Sequence, residues 1–324
     1  MREISFSEAT LEAMSEEMER DSSVFVLGED IARQGGIFGQ FKGLPQKFGT
    51  ERVLDTPISE TAIVGAAVGA ALAGMRPVAD MHFADFIGVC MDEVFNQMAK
   101  VRFMFGGQCK VPMVLRAPDG IIRSAAAQHS QSVEAWFMHI PGVKVVIPSN
   151  PADAKGLLKA AIRSDDPVLY FEHKVLFPMK GPVPEGDHVV PIGKANVSRK
   201  GKDVTIVSYS LMMHRALEAA DKLAAEGIQA EVIDLRTISP IDKETIFDSV
   251  RKTKRLVIVH EAVKQGGVGA EISALVAEEM IDWLDAPIRR IGAPFVPVPF
   301  SPPLEQLVKI SADHITKTVK EICR

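Results

Sequence analysis

Two residues of this 324-residue chain stand where they could do chemistry. Glu60 closes the run 55-DTPISE-60, and the fifteen residues after it, 61-TAIVGAAVGAALAGM-75, carry no charge and are nearly all small. A carboxylate at the mouth of so apolar a segment has two readings. It can be an N-terminal charge favourable to a helix dipole, with Ser59 or Thr56 as cap. Buried among apolar neighbours it can instead hold or share a proton near neutral pH, because desolvation disfavours its charged form. The second residue, His129, lies in 124-SAAAQHSQS-132, where small residues precede a polar trio. A lone histidine is either a satisfied structural group or a proton donor, and the pattern leaves both open.

Two other features carry less. The run 265-QGGVGAE-271 has the glycines of a phosphate cradle but lacks the spacing to an acidic residue that a dinucleotide fingerprint needs, so it reads as packing. Cys90, Cys109 and Cys323 are isolated, which argues against a disulfide framework or a zinc site and makes a reducing compartment, the bacterial cytoplasm, the expected setting.

The elements that must position Glu60 and His129 alternate regularly. Strand-like runs at 24–30, 77–83, 112–118, 143–149 and 167–173 are separated by helical patterns at 60–74, 86–105, 130–139 and 151–164. Continuous apolar strands between helices predict a parallel sheet covered on both faces. The stretch 174–195, dense in proline and glycine, predicts a linker. A second alternation follows, with strands near 203–209, 230–237, 255–261 and 287–293 and helices near 213–226, 242–252 and 269–282. The fold class is therefore α/β in two domains, as the length alone suggests. At the start, Ser5 or Ser7 can cap a helix, with Glu8 three residues after Ser5, and the chain is expected to begin at its domain, as a bacterial cytoplasmic protein or a processed one would, with no targeting segment.

Composition narrows the functions. The 37 basic and 42 acidic residues are scattered, with a net charge of -5, so nothing resembles a nucleic-acid surface. Residues 61–75 are too short to span a bilayer and read as a buried helix, whose Gly65 and Gly69 let another backbone come close.

Taken together, 55-DTPISE-60, 83-FADF-86, 127-AQHSQS-132 and 234-DLRTISP-240 closely resemble the β subunit of the thiamine-diphosphate-dependent first component of 2-oxo acid dehydrogenase complexes, along essentially the whole chain. The family includes pyruvate, branched-chain and acetoin dehydrogenases. The resemblance implies a transketolase-like pyrimidine-binding domain over 1–175, a linker over 176–200 and a transketolase C-terminal-like domain over 201–324. It implies that Glu60 hydrogen-bonds the ring nitrogen of the cofactor's aminopyrimidine and promotes the imino tautomer that deprotonates the thiazolium carbon. It places Phe86 on the pyrimidine ring, Ile58 and His82 in the same pocket, and His129 near the thiazolium as proton donor or charge stabiliser. Val111 and Met113, with Ala161, Ser164 and Asp166, match loops that hold a potassium ion in several relatives.

The resemblance also marks a gap. The family of enzymes holds the diphosphate through Mg²⁺ with a G-D-G motif, whereas Asp119-Gly120 follows a proline. A separate α subunit is therefore expected to supply that half, in an assembly of two α and two β chains. The implied reaction is decarboxylation of a 2-oxo acid, with pyruvate first, and reductive acylation of a lipoyl group on the acyltransferase core. Acetoin cleavage is the alternative substrate reading, and a non-catalytic assembly subunit or a self-sufficient transketolase-like enzyme are the remaining rivals.

Overall fold

The acidic amino-terminal run folds because its start is chemically marked. Strand β1 (Arg2–Ser5) passes into α1 (Phe6–Arg20), and the expected capping box is present. The Glu8 amide donates to Ser5 Oγ at 3.2 Å and the Ser5 amide to Glu8 Oε2 at 2.7 Å. The computed structural model describes residues 2–324 and divides them into two compact units. The first runs to Asp119 and resumes over Trp136–Ile192; the second takes Gly120–Ala135 and Gly193–Arg324.

The first unit continues with β2 (Val24–Gly28), α2 (Leu44–Phe48), β3 (Val53–Asp55), α3 (Glu60–Leu72), β4 (Arg76–Asp80), α4 (Ala99–Met104) and β5 (Val114–Asp119). After α5 (Glu134–Met138) come β6 (Lys144–Val146), α6 (Pro151–Arg163), β7 (Val168–His173) and β8 (Lys180–Val183). Its strands lie in the order β6-β7-β5-β4-β2-β3, all parallel, while β1 and β8 form a separate antiparallel pair. Every residue of β2, β5 and β7 is buried, as a sheet covered on both faces requires.

The second unit contains β9 (Asn196–Arg199), β10 (Val204–Ser208), α7 (Leu211–Ala225), β11 (Ala230–Asp234), β12 (Thr237–Ser239) and α8 (Lys243–Thr253). It ends with β13 (Leu256–Val263), α9 (Val268–Met280), β14 (Arg289–Ala293), α10 (Pro302–Val308) and α11 (Ala312–Ile322). Strand order is β14-β13-β10-β11-β9, with β9 alone antiparallel. The glycines of 265-QGGVGAE-271 serve packing: a Cβ on Gly267 or Gly269 would stand 2.5 or 3.0 Å from the His260 ring. Burial pushes the His260 imidazole down to about 4, so it sits neutral against the start of α9.

Three expectations change. The single helix expected over 86–105 is a 3₁₀ turn (Ala84–Cys90), a π turn (Glu93–Met98) and then α4; each piece is too short for its apolar pattern in the sequence to separate it from an α-helix. The stretch read as linker carries β8 and β9; both lie at sheet edges, where Pro182 costs no ladder bond. Helix α3, read as buried, exposes Ala62, Ala66, Gly69 and Ala73. Nothing lies within 4 Å of a Cβ built on Gly69, so no neighbour inside the chain requires that glycine.

The centre of the first sheet holds charge. Arg116 on β5 pairs with Asp80 at 3.3 Å and with Glu172 on β7, and its guanidinium lies 4.8 Å from the centroid of the Phe41 ring. All three charged side chains are at most 1% exposed. Two carboxylates share one cation, so burial favours retaining a proton. Glu172 takes the closer contact with Arg116 Nε, and Asp80 is pushed up to about 7, first by burial and then by Glu172, against the pull of Arg116. Asp80 in the unfolded chain titrates near its ordinary value, so its contribution to stability is present at acid pH and is lost as pH rises from about 4 to about 7. Asp80→Asn fixes the uncharged state. In thermal melts the difference in Tm, variant minus wild type, is expected to rise across that window and level off above it; a flat difference would show that Asp80 is ionised throughout.

Candidate active site

Parallel strands all end on one edge of their sheet, and the loops leaving β4, β2 and β3 are neighbours there. Gly28 ends β2 opposite Asp80, and a Cβ at Gly28 would stand 2.7 Å from the Asp80 carbonyl oxygen, so glycine lets the two strand ends approach. From this edge come Glu29 after β2, residues 56–60 after β3, and His82 to Phe86 after β4.

Glu60 is the first residue of α3 and brings the only acidic charge to its first turn. Ser59 occupies the N-cap position but its side chain makes no capping bond, and Thr56 Oγ1 is buried with no partner among the described residues, so neither expected cap operates. Ile58 beside them is 82% exposed, a large aliphatic group presented to whatever binds here. Phe86, partly buried in the 3₁₀ turn, meets Phe83 edge to face with centroids 6.2 Å apart.

His82 turns both ring nitrogens to one residue. Nδ1 lies 2.9 Å from Glu29 Oε2 and Nε2 lies 3.1 Å from the Glu29 carbonyl oxygen. Two oxygens facing two ring nitrogens require a proton beyond those of a neutral imidazole and a carboxylate. Burial raises the Glu29 carboxyl above the ordinary range, His82 opposes that rise, and the charges of Glu60 and Asp30 add to it. Glu29, His82 and Glu60 thus form one electrostatic group. Sequence reading passed over Glu29 as part of a strand; its place immediately after 24-VFVLG-28, at the carboxyl end of a parallel strand, was the available signal.

His129 lies in the second unit, on a loop closed at its base by the Gly120 amide donating to the Gln131 carbonyl at 3.1 Å. Ser124 and Ala126 have φ of 56° and 58°, a left-handed backbone that costs non-glycine residues about 1–2 kcal/mol each. The loop is fastened from outside. The Ile121 amide donates to Glu261 Oε1 at 2.6 Å and the Ser124 amide to Glu305 Oε2 at 2.9 Å. Behind it, Tyr209 donates to Glu134 Oε1 at 2.7 Å.

The positions matched to a potassium site gather at the other edge of the first sheet. Val111, Met113 and Ala161 are buried, and the Val111 amide donates to the Asp165 carbonyl at 3.3 Å. Protein cations already engage this loop. Arg76 donates to the carbonyls of Ile162 and Ser164 at 3.0 and 3.1 Å and pairs with Asp165; Lys110 also pairs with Asp165. Lys144 Nζ reaches Ser164 Oγ at 3.0 Å and Asp166 Oδ2 at 3.3 Å, and Arg102 pairs with Asp166. Two carboxylates at this loop face four cations of the protein itself, so its side-chain charge is balanced without an added ion. A cavity of about 470 Å³, lined by Arg102, Phe103, Gly142 and Asp166 among others, opens at this same edge, away from Glu60.

Comparison with known proteins also divides the chain in two, but its first part includes the loop over 120–135 that packs with the second unit. Residues 2–180 match the transketolase pyrimidine binding domain and residues 193–315 the transketolase C-terminal domain. The β subunit of acetoin:2,6-dichlorophenolindophenol oxidoreductase from Cupriavidus necator is 52% identical, over 99% of this chain and 97% of its own. The 2-oxoisovalerate dehydrogenase β subunit of Bacillus subtilis is 47% identical over 99% of both chains. The pyruvate dehydrogenase E1 component β subunit of Rhizobium meliloti is 45% identical over all of this chain and 70% of its own. Among solved structures, a split gene transketolase described as an inactive β4 tetramer superposes with a TM-score of 0.82 at 26% identity, covering 99% of this chain and 98% of that one.

The charge balance around Asp165 and Asp166 has a thermal consequence. An ion resident at 100 times its Kd would contribute about 2.7 kcal/mol. Exchanging potassium for choline at constant ionic strength is expected to leave Tm unchanged to within about 1 °C; a fall of several degrees would mean that the loop holds potassium after all.

Proposed function

The chain belongs to the transketolase-like family of β subunits from the first components of pyruvate, branched-chain 2-oxo acid and acetoin dehydrogenase complexes, and we propose that it supplies the pyrimidine half of a thiamine diphosphate site completed by an α subunit. The observation that carries this reading is the gathering of Glu60, Ile58, Phe86 and the Glu29–His82 pair on the carboxyl edge of β4, β2 and β3. An aromatic side chain, an exposed aliphatic one and a carboxylate at a helix start suit a flat, apolar ring that carries hydrogen-bonding nitrogens.

When bound, thiamine diphosphate supplies a thiazolium carbon that attacks the substrate carbonyl and accepts the electron pair left by decarboxylation. In this reading Glu60 holds a proton against the pyrimidine ring nitrogen. The Glu29–His82 pair sets the field around that carboxylate. Ile58 and Phe86 keep water from the ring, which strengthens the Glu60 hydrogen bond. His129 donates a proton at the reaction centre and steadies charge as the lipoyl group arrives. The diphosphate and its Mg²⁺ fall to the α subunit, because Asp119-Gly120 lacks the preceding glycine.

The exposed face of α3 and the exposed Phe103, Met104 and Phe105 support a chain that works in an assembly, here two α and two β, serving a lipoyl acyltransferase core. Among the described residues no helix is long and apolar enough to cross a membrane, and the three cysteines are free; we place the assembly in the cytoplasm. Pyruvate is the first substrate reading. Acetoin is the second, favoured by the 52% and 49% identities to the acetoin enzymes of C. necator and B. subtilis.

The test is co-expression with an α subunit and dye reduction with thiamine diphosphate, Mg²⁺ and, separately, pyruvate, branched-chain 2-oxo acids and acetoin. Turnover is expected from the pair and from neither chain alone; activity of this chain by itself would overturn the half-site reading. Glu60→Gln in the pair is expected to keep the fold and lower turnover by about 10²–10⁴-fold. A fully active Glu60→Gln enzyme would remove Glu60 from the chemistry. His129→Ala is expected to impair transfer to lipoate far more than cofactor binding, read by comparing acylation rates with cofactor titrations.

A further inference from the structure

The His129 loop contains no helix or strand. The Gly120 amide closes it on the Gln131 carbonyl and the Ala125 amide turns it on the Ile122 carbonyl at 3.3 Å, while Ser124 and Ala126 occupy the left-handed region. The amides of Ile121 and Ser124 are instead met by carboxylates 140 and 181 residues away in sequence. Glu305 is 1% exposed, lies within α10 and pairs one turn on with Lys309 while it accepts from the Ser124 amide. Glu261 comes from β13, at the middle of the second sheet's parallel run.

We propose that Glu305 and Glu261 are positioning residues for His129: two carboxylates borrowed from α10 and β13 that set the loop's backbone and thereby where the imidazole stands. The proposal rests on the reading of His129 as a group of the reaction centre. It adds that the second unit's role in the reaction runs through these two side chains. A carboxylate is suited to the task because an ionised acceptor makes a shorter and stronger bond to a backbone amide than a neutral one. Release of either amide removes a restraint on the left-handed residues, and the loop then relaxes.

The experiment uses the αβ assembly and two readouts. Arg123 is exposed in the loop, one residue before Ser124, so tryptic cleavage after it reports loop release independently of any reaction. Glu305→Ala is expected to speed that cleavage about tenfold, in proportion to the population of the opened loop. In the same variant, acylation of lipoate is expected to fall by up to about 100-fold, as a displacement near 1 Å costs, with cofactor affinity and the KM for the oxo substrate unchanged. Glu305→Gln keeps an acceptor oxygen for Ser124 and is expected to recover most of the rate. Combined with His129→Ala, Glu305→Ala should cause no further loss.

Wild-type cleavage and wild-type transfer in a folded Glu305→Ala assembly would overturn the proposal, as would an additive double variant. Full activity of His129→Ala would instead overturn the role given to His129, while the cleavage rates still decide whether the carboxylates hold the loop. Should Glu305→Ala fail to assemble, Glu261→Gln and Glu261→Ala, read by the same two measurements, decide the question with the same outcomes.

Discussion

One guanidinium holds the middle of the first unit. Arg116 ties β5 to Asp80 at the end of β4 and to Glu172 near the end of β7, with almost no water reaching any of the three. A buried pair of this sort is a poor source of net stability, since desolvation offsets most of the attraction. What it fixes is alignment: three adjacent strands cannot slide past one another without leaving a charge alone in the core. Because the sheet is parallel, alignment of these strands also fixes the edge from which the loops carrying Glu29, Glu60, His82 and Phe86 depart. The candidate site therefore inherits its geometry from a contact that touches none of its reacting groups.

The second unit solves a different problem. Its contribution is a loop whose sequence, 120-GIIRSAAAQHSQ-131, is small, polar and without a helical or strand period, so nothing local specifies its shape. Order is imported by carboxylates on elements that have strong reasons to be where they are. Glu261 sits on a strand paired on both sides, and Glu305 on a short helix whose first turn holds two prolines. Rigid elements that lend side chains to a loop without regular structure are a common way to place a reactive group.

Much of this was legible in the sequence, but unevenly. The long central strands of both sheets were, because continuous apolar runs bounded by prolines, glycines and charges have few other interpretations; the short edge strands β3 and β9 were not. So was the capping box of Ser5 and Glu8, a purely local device. Glu60 stood out through contrast with the fifteen uncharged residues after it, and His129 through its polar neighbours. Glu29, Arg116 and Glu305 did not stand out. Each looks ordinary in its own stretch, and each matters through a partner 36 to 181 residues distant or, for Glu29, through a strand pairing that brings His82 beside it. The uncapped start of α3 and its exposed glycines were misread for a related reason: a helix of small apolar residues is hidden only if something covers it, and a single chain's sequence does not say whether the cover is its own.

The distance between Ser124 and Glu305 along the chain also sets a clock. At a ribosome adding 5–20 residues each second, the 181 residues between them take about 10 to 40 s to make. The first sheet can close once β7 has emerged, long before α10 exists. During that interval the histidine loop hangs from a finished sheet, with both anchors unmade until β13 emerges and one of them still unmade until α10 follows. A chain cut short before residue 305 would keep its strands and its carboxylate edge yet leave the loop loose, so completion of translation is itself the last step in ordering the histidine.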